Sequence, residues 1–436
     1  MKHKIFIIFF TVWPLLTYSQ NKILLEQALG LALEKNYDVQ LSRNTVSSTA
    51  TDKKYVVGAF VPTINATATD LWNNNSQKQI SSEHILKEGP NEANNLNASV
   101  QLSWTLFDGT KMFATRKRIN ELNYVSDLNL KDQMVNTIST VIINYYNIVR
   151  QKQQLEAIRE QMSVSEERVK LAEKKLQVGT GAKPELLQAQ VDLNAQRTQI
   201  FQQETIIIQL KDQLNGLLGM QLPEAFDVSD SIEINLNLPR EDFFTNIENK
   251  NFGLQASRNS IDVAGLSLRE RRAERYPTLN FVSAYNYIRN ENAVSFNSGN
   301  PLFSRTKGLN YGFTLAVPIV NGFNNRRLVS QAKLTVDRQT LLYEQRKMQV
   351  DVGVRNAFIN YENAKKILVL QEENIVLAKE NVFIALEGFK RGFTTFIELR
   401  TAQQSLADAY NQLIAARYNT KLAETELLRL NGGLLK

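Results

Sequence analysis

The chain has 436 residues, of which 43% are apolar and 22% charged, with a formal charge of +7, two His and no Cys. The missing Cys removes disulfide scaffolds, thiolate metal sites, Cys nucleophiles and a lipid-modified N-terminal Cys. With only His3 and His84 available, His-based metal sites and Ser-His-Asp catalysis are disfavoured too. Loss of Lys2 and Lys4 with a leader would take +7 to +5, which is no nucleic-acid footprint over a chain whose length suggests two or three globular domains.

Lys2 and Lys4 precede an apolar run from Ile5 to Leu16, and small residues lie three and one positions before a cut after Ser19. This layout predicts a secretory signal peptide over 1–19. As a membrane anchor the run is too short and contains Pro14. No later stretch is apolar enough to span a bilayer as a helix, so a membrane contact would have to use strands or an amphipathic surface.

From Leu24 to about Tyr55 the composition is helical, and Pro62 ends it. The next segment, about 62–72, is rich in Thr and Asn. After a polar stretch, Asn73 to Asn97, comes a clean alternation of Ala98, Val100, Leu102, Trp104 and Leu106 with Ser99, Gln101, Ser103 and Thr105. Period-two spacing predicts a strand over about 97–107 with one apolar face. From Thr110 to Val178 there are 69 residues without Pro or Gly, which as one helix would reach about 100 Å at 1.5 Å per residue. Within it Leu155, Met162, Val169 and Leu176 recur every seven residues, with Ile158 and Ala172 between. After a turn at 178–183 the register resumes at Leu186, Leu193, Ile200, Ile207 and Leu214. Sustained heptads predict helices packed side by side.

The rest of the chain repeats this unit. Asn36-Tyr-Asp-Val-Gln-Leu-Ser-Arg-Asn44 matches Asn251-Phe-Gly-Leu-Gln-Ala-Ser-Arg-Asn259 in five of nine residues, at an offset of 215. At an offset of 213, Leu102 to Gly109 meets Leu315 to Gly322, Gly179 meets Gly392, and Gly219 meets Gly432. The reading is therefore a first repeat at 20–219, a Pro-containing linker at 220–240 and a second repeat at 241–436. The second is read as a helix over about 243–275, strands at about 277–289 and 309–320, and a helical hairpin turning at 391–396. Its heptads are Leu368, Ile375, Val382 and Phe389, then Leu399, Leu406, Leu413 and Leu427, broken by Thr420.

Each repeat thus offers one long-looped hairpin of strands about ten residues long, which suits an outer-membrane crossing or a half-buried soluble hairpin. If the strands lie in hydrocarbon, four cannot leave open edges, so closure requires other copies. Two copies would give eight strands and three would give twelve, and only the larger barrel begins to leave a lumen.

The repeat, the hairpin in each half, the segments ending in Gly109 and Gly322, and the glycine-centred turns together resemble the TolC-like outer-membrane efflux protein family. The resemblance implies a mainly α protein with membrane β: two tandem repeats of long antiparallel coiled-coil helices, each with a β-hairpin, assembling as a homotrimer. The trimer would form a twelve-stranded barrel in the outer membrane of a Gram-negative bacterium, in contact with its lipid, and an α-helical tunnel in the periplasm. It further implies a passive exit duct for small molecules such as drugs or metal ions, or for proteins, partnered by a periplasmic adaptor and an inner-membrane transporter.

By position, Val178, Gly179 and Thr180, and Arg391, Gly392 and Phe393, match the family's adaptor-docking tips, with Arg391 and Phe393 departing from its usual residues. Glu185 and Glu398 match acidic positions near the tunnel's closed end and would line or gate it. Glu398 also follows Thr395 by three, a capping box, and Glu185 follows Pro184 in a first helical turn. A loop arginine and a second acidic residue of some relatives fall on Thr394 and Thr401, so the closing network differs. Trp72, Trp104, Tyr285, Tyr287 and Tyr311 would form an interfacial girdle or ordinary strand packing, and His84 is read as solvated. No phosphate loop, metal-ligand cluster or nucleophile motif occurs, so no catalytic, cofactor or metal site is expected, and no nucleic acid. The competing reading is a periplasmic coiled-coil adaptor or structural surface protein. A diffusion porin would need many more strands and far less helix.

Overall fold

A computed structural model describes residues 22–80, 86–223, 226–294 and 301–435. The leader and His84 lie outside these residues. Strand β1 (Lys22–Ile23) is followed by α1 (Leu25–Lys35), α2 (Tyr37–Tyr55), β2 (Thr63–Ile80), β3 (Leu86–Phe107), α3 (Lys111–Gln177) and α4 (Lys183–Leu217). Then come β4 (Asp227–Val228), α5 (Glu241–Phe244), α6 (Ile247–Lys250), α7 (Phe252–Ala273), β5 (Thr278–Asn292), β6 (Phe303–Ala316), α8 (Asn324–Arg391) and α9 (Phe396–Leu430). These elements form two compact units. One takes the chain up to Leu41, Lys131–Asn251 and Val350 onward; the other takes Ser42–Leu130 and Phe252–Gln349. Each unit therefore contains parts of both repeats.

In the helical unit the second repeat's heptads are deeply buried: Leu368, Ile375, Val382 and Phe389 on α8, and Leu399, Leu406, Leu413 and Leu427 on α9, are all less than a tenth exposed. Thr420 does not interrupt this seam. It is fully buried, its hydroxyl donating to the Ala416 carbonyl at 2.7 Å, so the polar group is satisfied within its own helix. The first repeat's seam is shallower; Met162, Val169 and Leu176 are only half-buried.

The expected first helix is two. Asn36 breaks it, its Oδ1 accepting from the Asp38 and Val39 N–H groups while its Nδ2 donates to the Leu217 carbonyl at 3.0 Å. Asn251, its repeat, donates to the Leu430 carbonyl at 2.9 Å. The shared Asn thus ties the start of each repeat to the end of that repeat's last helix. Segment 220–240 is packed, not loose. β4 pairs in parallel with β1, and Lys152 donates to Asp227 and Asp230, both at 2.7 Å. The buried Glu424 accepts from the Asn235 N–H at 3.1 Å.

The other unit carries a four-stranded antiparallel sheet in the order β2-β3-β5-β6. Its strands run further than alternation alone indicated: most of the polar stretch 73–97 pairs in the β2/β3 ladder. The ladder satisfies main-chain groups whatever the side chains are, so a polar run can pair as well as an apolar one. In the other direction β6 stops at Ala316, short of the expected 320, because Pro318 has no N–H to give the ladder. Direct partners share a face, so the register sorts the side chains. One face carries Ile64, Ala66, Val100, Leu102, Trp104, Leu279, Phe281, Tyr285, Leu309, Tyr311, Phe313 and Leu315. The other carries Thr63, Asn65, Thr67, Ser99, Gln101, Ser103, Asn286, Asn310 and Thr314. The aromatics expected as a girdle all lie on the apolar face but at different levels; Trp104 sits at its helix-proximal end, where its indole N–H donates to the Phe60 carbonyl at 2.9 Å.

Candidate functional site

The two hairpin turns have the same hydrogen-bond pattern. The Lys175 carbonyl accepts from the N–H groups of Thr180 and Gly181, both at 2.9 Å, and the Gly388 carbonyl accepts from Phe393 at 2.8 Å and Thr394 at 3.3 Å. Reversing the chain in so few residues needs a left-handed backbone, which Gly179 (φ 78°) and Gly392 (φ 82°) supply. The turns leave Val178 73% and Phe393 84% exposed.

Just past the tips, Glu398 closes the capping box read from the sequence: Thr395 N–H donates to its Oε2 at 2.7 Å, and its own N–H donates to Thr395 Oγ1 at 3.2 Å. The Thr395 backbone N–H, together with the hydroxyl, holds the Glu398 carboxyl below the usual range. Glu185 sits in the first turn of α4, half-buried.

Contacts between the two hairpins join α3 and α4 to α8 and α9, with α9 antiparallel to α3. From the tip inward, Lys175 lies over the Phe389 ring at 3.6 Å and Arg168 over Phe396 at 5.1 Å. Asp192 on α4 then meets Arg400 on α9, at 3.2 Å to Nε and 3.3 Å to Nη2. Tyr410 donates to Glu160, beside Lys379, and Arg429 donates to Asn136 at 3.1 Å. Burial pushes the Tyr410 hydroxyl up, and acceptance by Glu160 pushes it the same way.

Arg168 is the unexpected member. Its side chain is 2% exposed, and its Nη2 donates to Asp192 Oδ2 at 2.7 Å. Burial draws the guanidinium below its ordinary value, against the pull of Asp192. Asp192 therefore serves two arginines, one buried and one 53% exposed, and also accepts from Gln188 at 2.9 Å. Arg168 and Arg400 border a cavity of about 430 Å³ lined by Gln161, Gln196, Gln199 and Gln403 among others. Neither Arg168 nor Asp192 was singled out by sequence. Arg168 precedes the heptad residue Val169, and only its placement against Asp192 and Phe396 distinguishes it from the solvated charges around it.

Among the described residues no helix is long and apolar enough to cross a membrane, and no group of acidic or His side chains could hold a metal ion. The profile of the outer membrane efflux protein family matches residues 28–220 and again 245–433, one match for each repeat. The chain belongs to the outer membrane efflux protein family. As a member it is an outer-membrane channel, an exit duct for efflux. The outer membrane protein TolC of Vibrio cholerae is 23% identical over 380 residues, 86% of this chain and 83% of that protein. The outer membrane efflux protein BepC of Brucella suis is 20% identical over 369 residues, 81% of this chain and 76% of the relative. Among solved structures, VceC of Vibrio cholerae matches with a TM-score of 0.76 at 15% identity, covering 94% of this chain and 96% of that one. The open-state MtrE channel of Neisseria gonorrhoeae matches at 0.72 and 17%, covering 94% and 89%. These likenesses extend to the helices and the sheet together, which a periplasmic adaptor does not account for.

Proposed function

We propose that three copies of the chain, each with residues 1–19 removed on export, close a twelve-stranded barrel in the outer membrane, and that their helices form the periplasmic part of the duct. The observation that carries this reading is the open sheet. Its order β2-β3-β5-β6 leaves the outer edges of β2 and β6 unpaired among the described residues, while one of its faces is apolar. In hydrocarbon an unpaired edge is untenable, so the edge of one copy must pair with the next. The apolar face then meets lipid and the Thr, Ser, Asn and Gln face lines the lumen. A lumen lined mostly by hydrogen-bonding side chains tolerates varied solutes, which supports efflux of small molecules such as drugs over binding of one dedicated ligand.

The duct has no energy source of its own in this reading and takes cargo from an inner-membrane transporter through a periplasmic adaptor. The adaptor docks on the tips Val178-Gly179-Thr180 and Arg391-Gly392-Phe393, where the exposed Val178 and Phe393 give it apolar anchors. Glu398 serves mainly as the cap of α9, with Glu185 beside it at the start of α4, and the Asp192–Arg400 contact holds the two hairpins of a protomer together. In detergent the purified protein is expected to have a protein mass three times that of one chain and to conduct ions in planar bilayers. A monomer without conductance would overturn the reading. Phe393→Ala is expected to keep the trimer and its conductance while losing co-purification with the adaptor, and unchanged co-purification would remove the tip from the interface.

A further inference from the structure

On the apolar face of the sheet the apolar belt ends abruptly at the edge far from the helices. On β5 the last belt residue is Tyr287 and the next on that face is Arg289; on β6 the last is Leu309, followed by Lys307 and then Arg305. The register puts Arg289 directly opposite Arg305, and Tyr287 opposite Lys307. Directly opposed strand residues lie about 5 Å apart, so three cations share a patch two residues long on two adjacent strands. Like charges placed opposite each other oppose pairing, yet the local compensation is slight. Arg289 donates to Asn94 Oδ1 at 3.1 Å and lies 3.6 Å from Glu291. Arg305 and Lys307 are exposed and have no acidic partner among the described residues. Asp70, in the same cross-strand row, is two strands away from Arg289 and accepts instead from Asn94 at 2.7 Å.

We infer that Arg289, Arg305 and Lys307 bind the phosphate of a membrane lipid headgroup, at the bilayer surface farthest from the helices. This rests on the reading of the apolar face as the lipid-facing side of a trimeric barrel. Three features fit that ligand. A phosphate offers several acceptor oxygens to two guanidinium forks at once and removes their mutual repulsion. The cations sit where the acyl-contacting belt stops, which is headgroup level. Tyr287 below and Phe303 beyond, the latter 53% exposed, flank the patch with the aromatic groups that favour an interface. A soluble anion would need the charges but not their position at the belt's edge.

The test is native mass spectrometry of the trimer exchanged into micelles containing diphosphorylated lipid A, with phosphatidylcholine as the uncharged-headgroup control. The wild type is expected to retain up to three lipid A molecules per trimer and at least tenfold less phosphatidylcholine. The triple variant Arg289→Gln, Arg305→Gln, Lys307→Gln is expected to lose at least tenfold of that retention, and the charge-preserving Arg289→Lys, Arg305→Lys variant to keep most of it. Should the triple variant not assemble, Arg305→Gln alone is expected to lose severalfold, since Arg305 is exposed and has no acidic partner to lose among the described residues. Equal retention of lipid A by wild type and Gln variants, or equal retention of both lipids by the wild type, would overturn the inference, as would complete displacement by millimolar inorganic phosphate, which marks a free-anion site. A monomeric mass in the same spectra would instead overturn the trimeric barrel itself.

Discussion

Replacing Asp192 with Ala removes the acceptor of two arginines whose surroundings differ sharply, and the contrast sets the size of the effect. Arg400 is 53% exposed and loses a pair that water can replace, a loss of about 0.2–1 kcal/mol. Arg168 is 2% exposed, and without Asp192 its guanidinium remains in the helix seam against Phe396 with no carboxylate. Stranding a buried partner costs about 3–5 kcal/mol. Asp192→Ala should therefore lower the melting temperature of the detergent-solubilised trimer far more than Arg400→Ala, followed by intrinsic fluorescence or circular dichroism. Arg168→Met in the Asp192→Ala background should restore most of the loss, because an apolar chain of similar length no longer needs a counter-charge and keeps its contact with the ring. Equal effects of Asp192→Ala and Arg400→Ala, or no recovery in the double variant, would refute the assignment of a buried, uncompensated charge as the cause.

Two further outcomes follow from the geometry. Gly179→Ala and Gly219→Ala both force a residue with a Cβ into a left-handed backbone (φ 78° and 72°), but Gly179 has open space around it while a Cβ at Gly219 would lie 2.9 Å from the Lys35 carbonyl oxygen. The first should cost about 1–2 kcal/mol and the second clearly more, read as the difference in melting temperature. Asp230 accepts from Lys152 and Lys22, and those hydrogen bonds, Lys152 first, lower its pKa from 3.8 to about 2. Because the folded value lies below the unfolded one, its stabilisation of the β1–β4 staple is complete above pH 4 and is lost as pH falls from about 4 through 2. Hydrogen exchange at the Ile23 and Val228 amides should accelerate over that window in the wild type, and Asp230→Asn should flatten the change.

Much of this fold could be read from two periodicities and one offset. Alternation located the membrane strands because one face must be apolar, and heptads located the helical seams for the same reason on a different period. Both signals fade where side chains no longer report burial. The polar ends of β2 and β3 pair through their backbone alone, so their composition looks like loop. The split of the opening helix at Asn36 was hidden because its cause, the Leu217 carbonyl, lies 181 residues away. The tips were legible because a left-handed turn needs Gly. The Arg168–Asp192–Arg400 cluster was not, since nothing in a run of Lys, Glu and Arg along a helix distinguishes a charge in a seam from one in water.

The antiparallel pairing of α3 with α9 has a consequence for how the chain comes to be folded. Tyr410 reaches back 250 residues to Glu160, and Arg429 reaches back 293 residues to Asn136. β1, at the front of the described chain, pairs with a strand more than two hundred residues later, β4. Contacts this distant are slow to form and cannot form in the order of synthesis. The first repeat emerges with its seam against α9 uncovered and with one edge of β3 waiting for β5, and the last helix made is the one that closes it. The packing that covers the first repeat is therefore finished only when the last helix of the chain has docked on it.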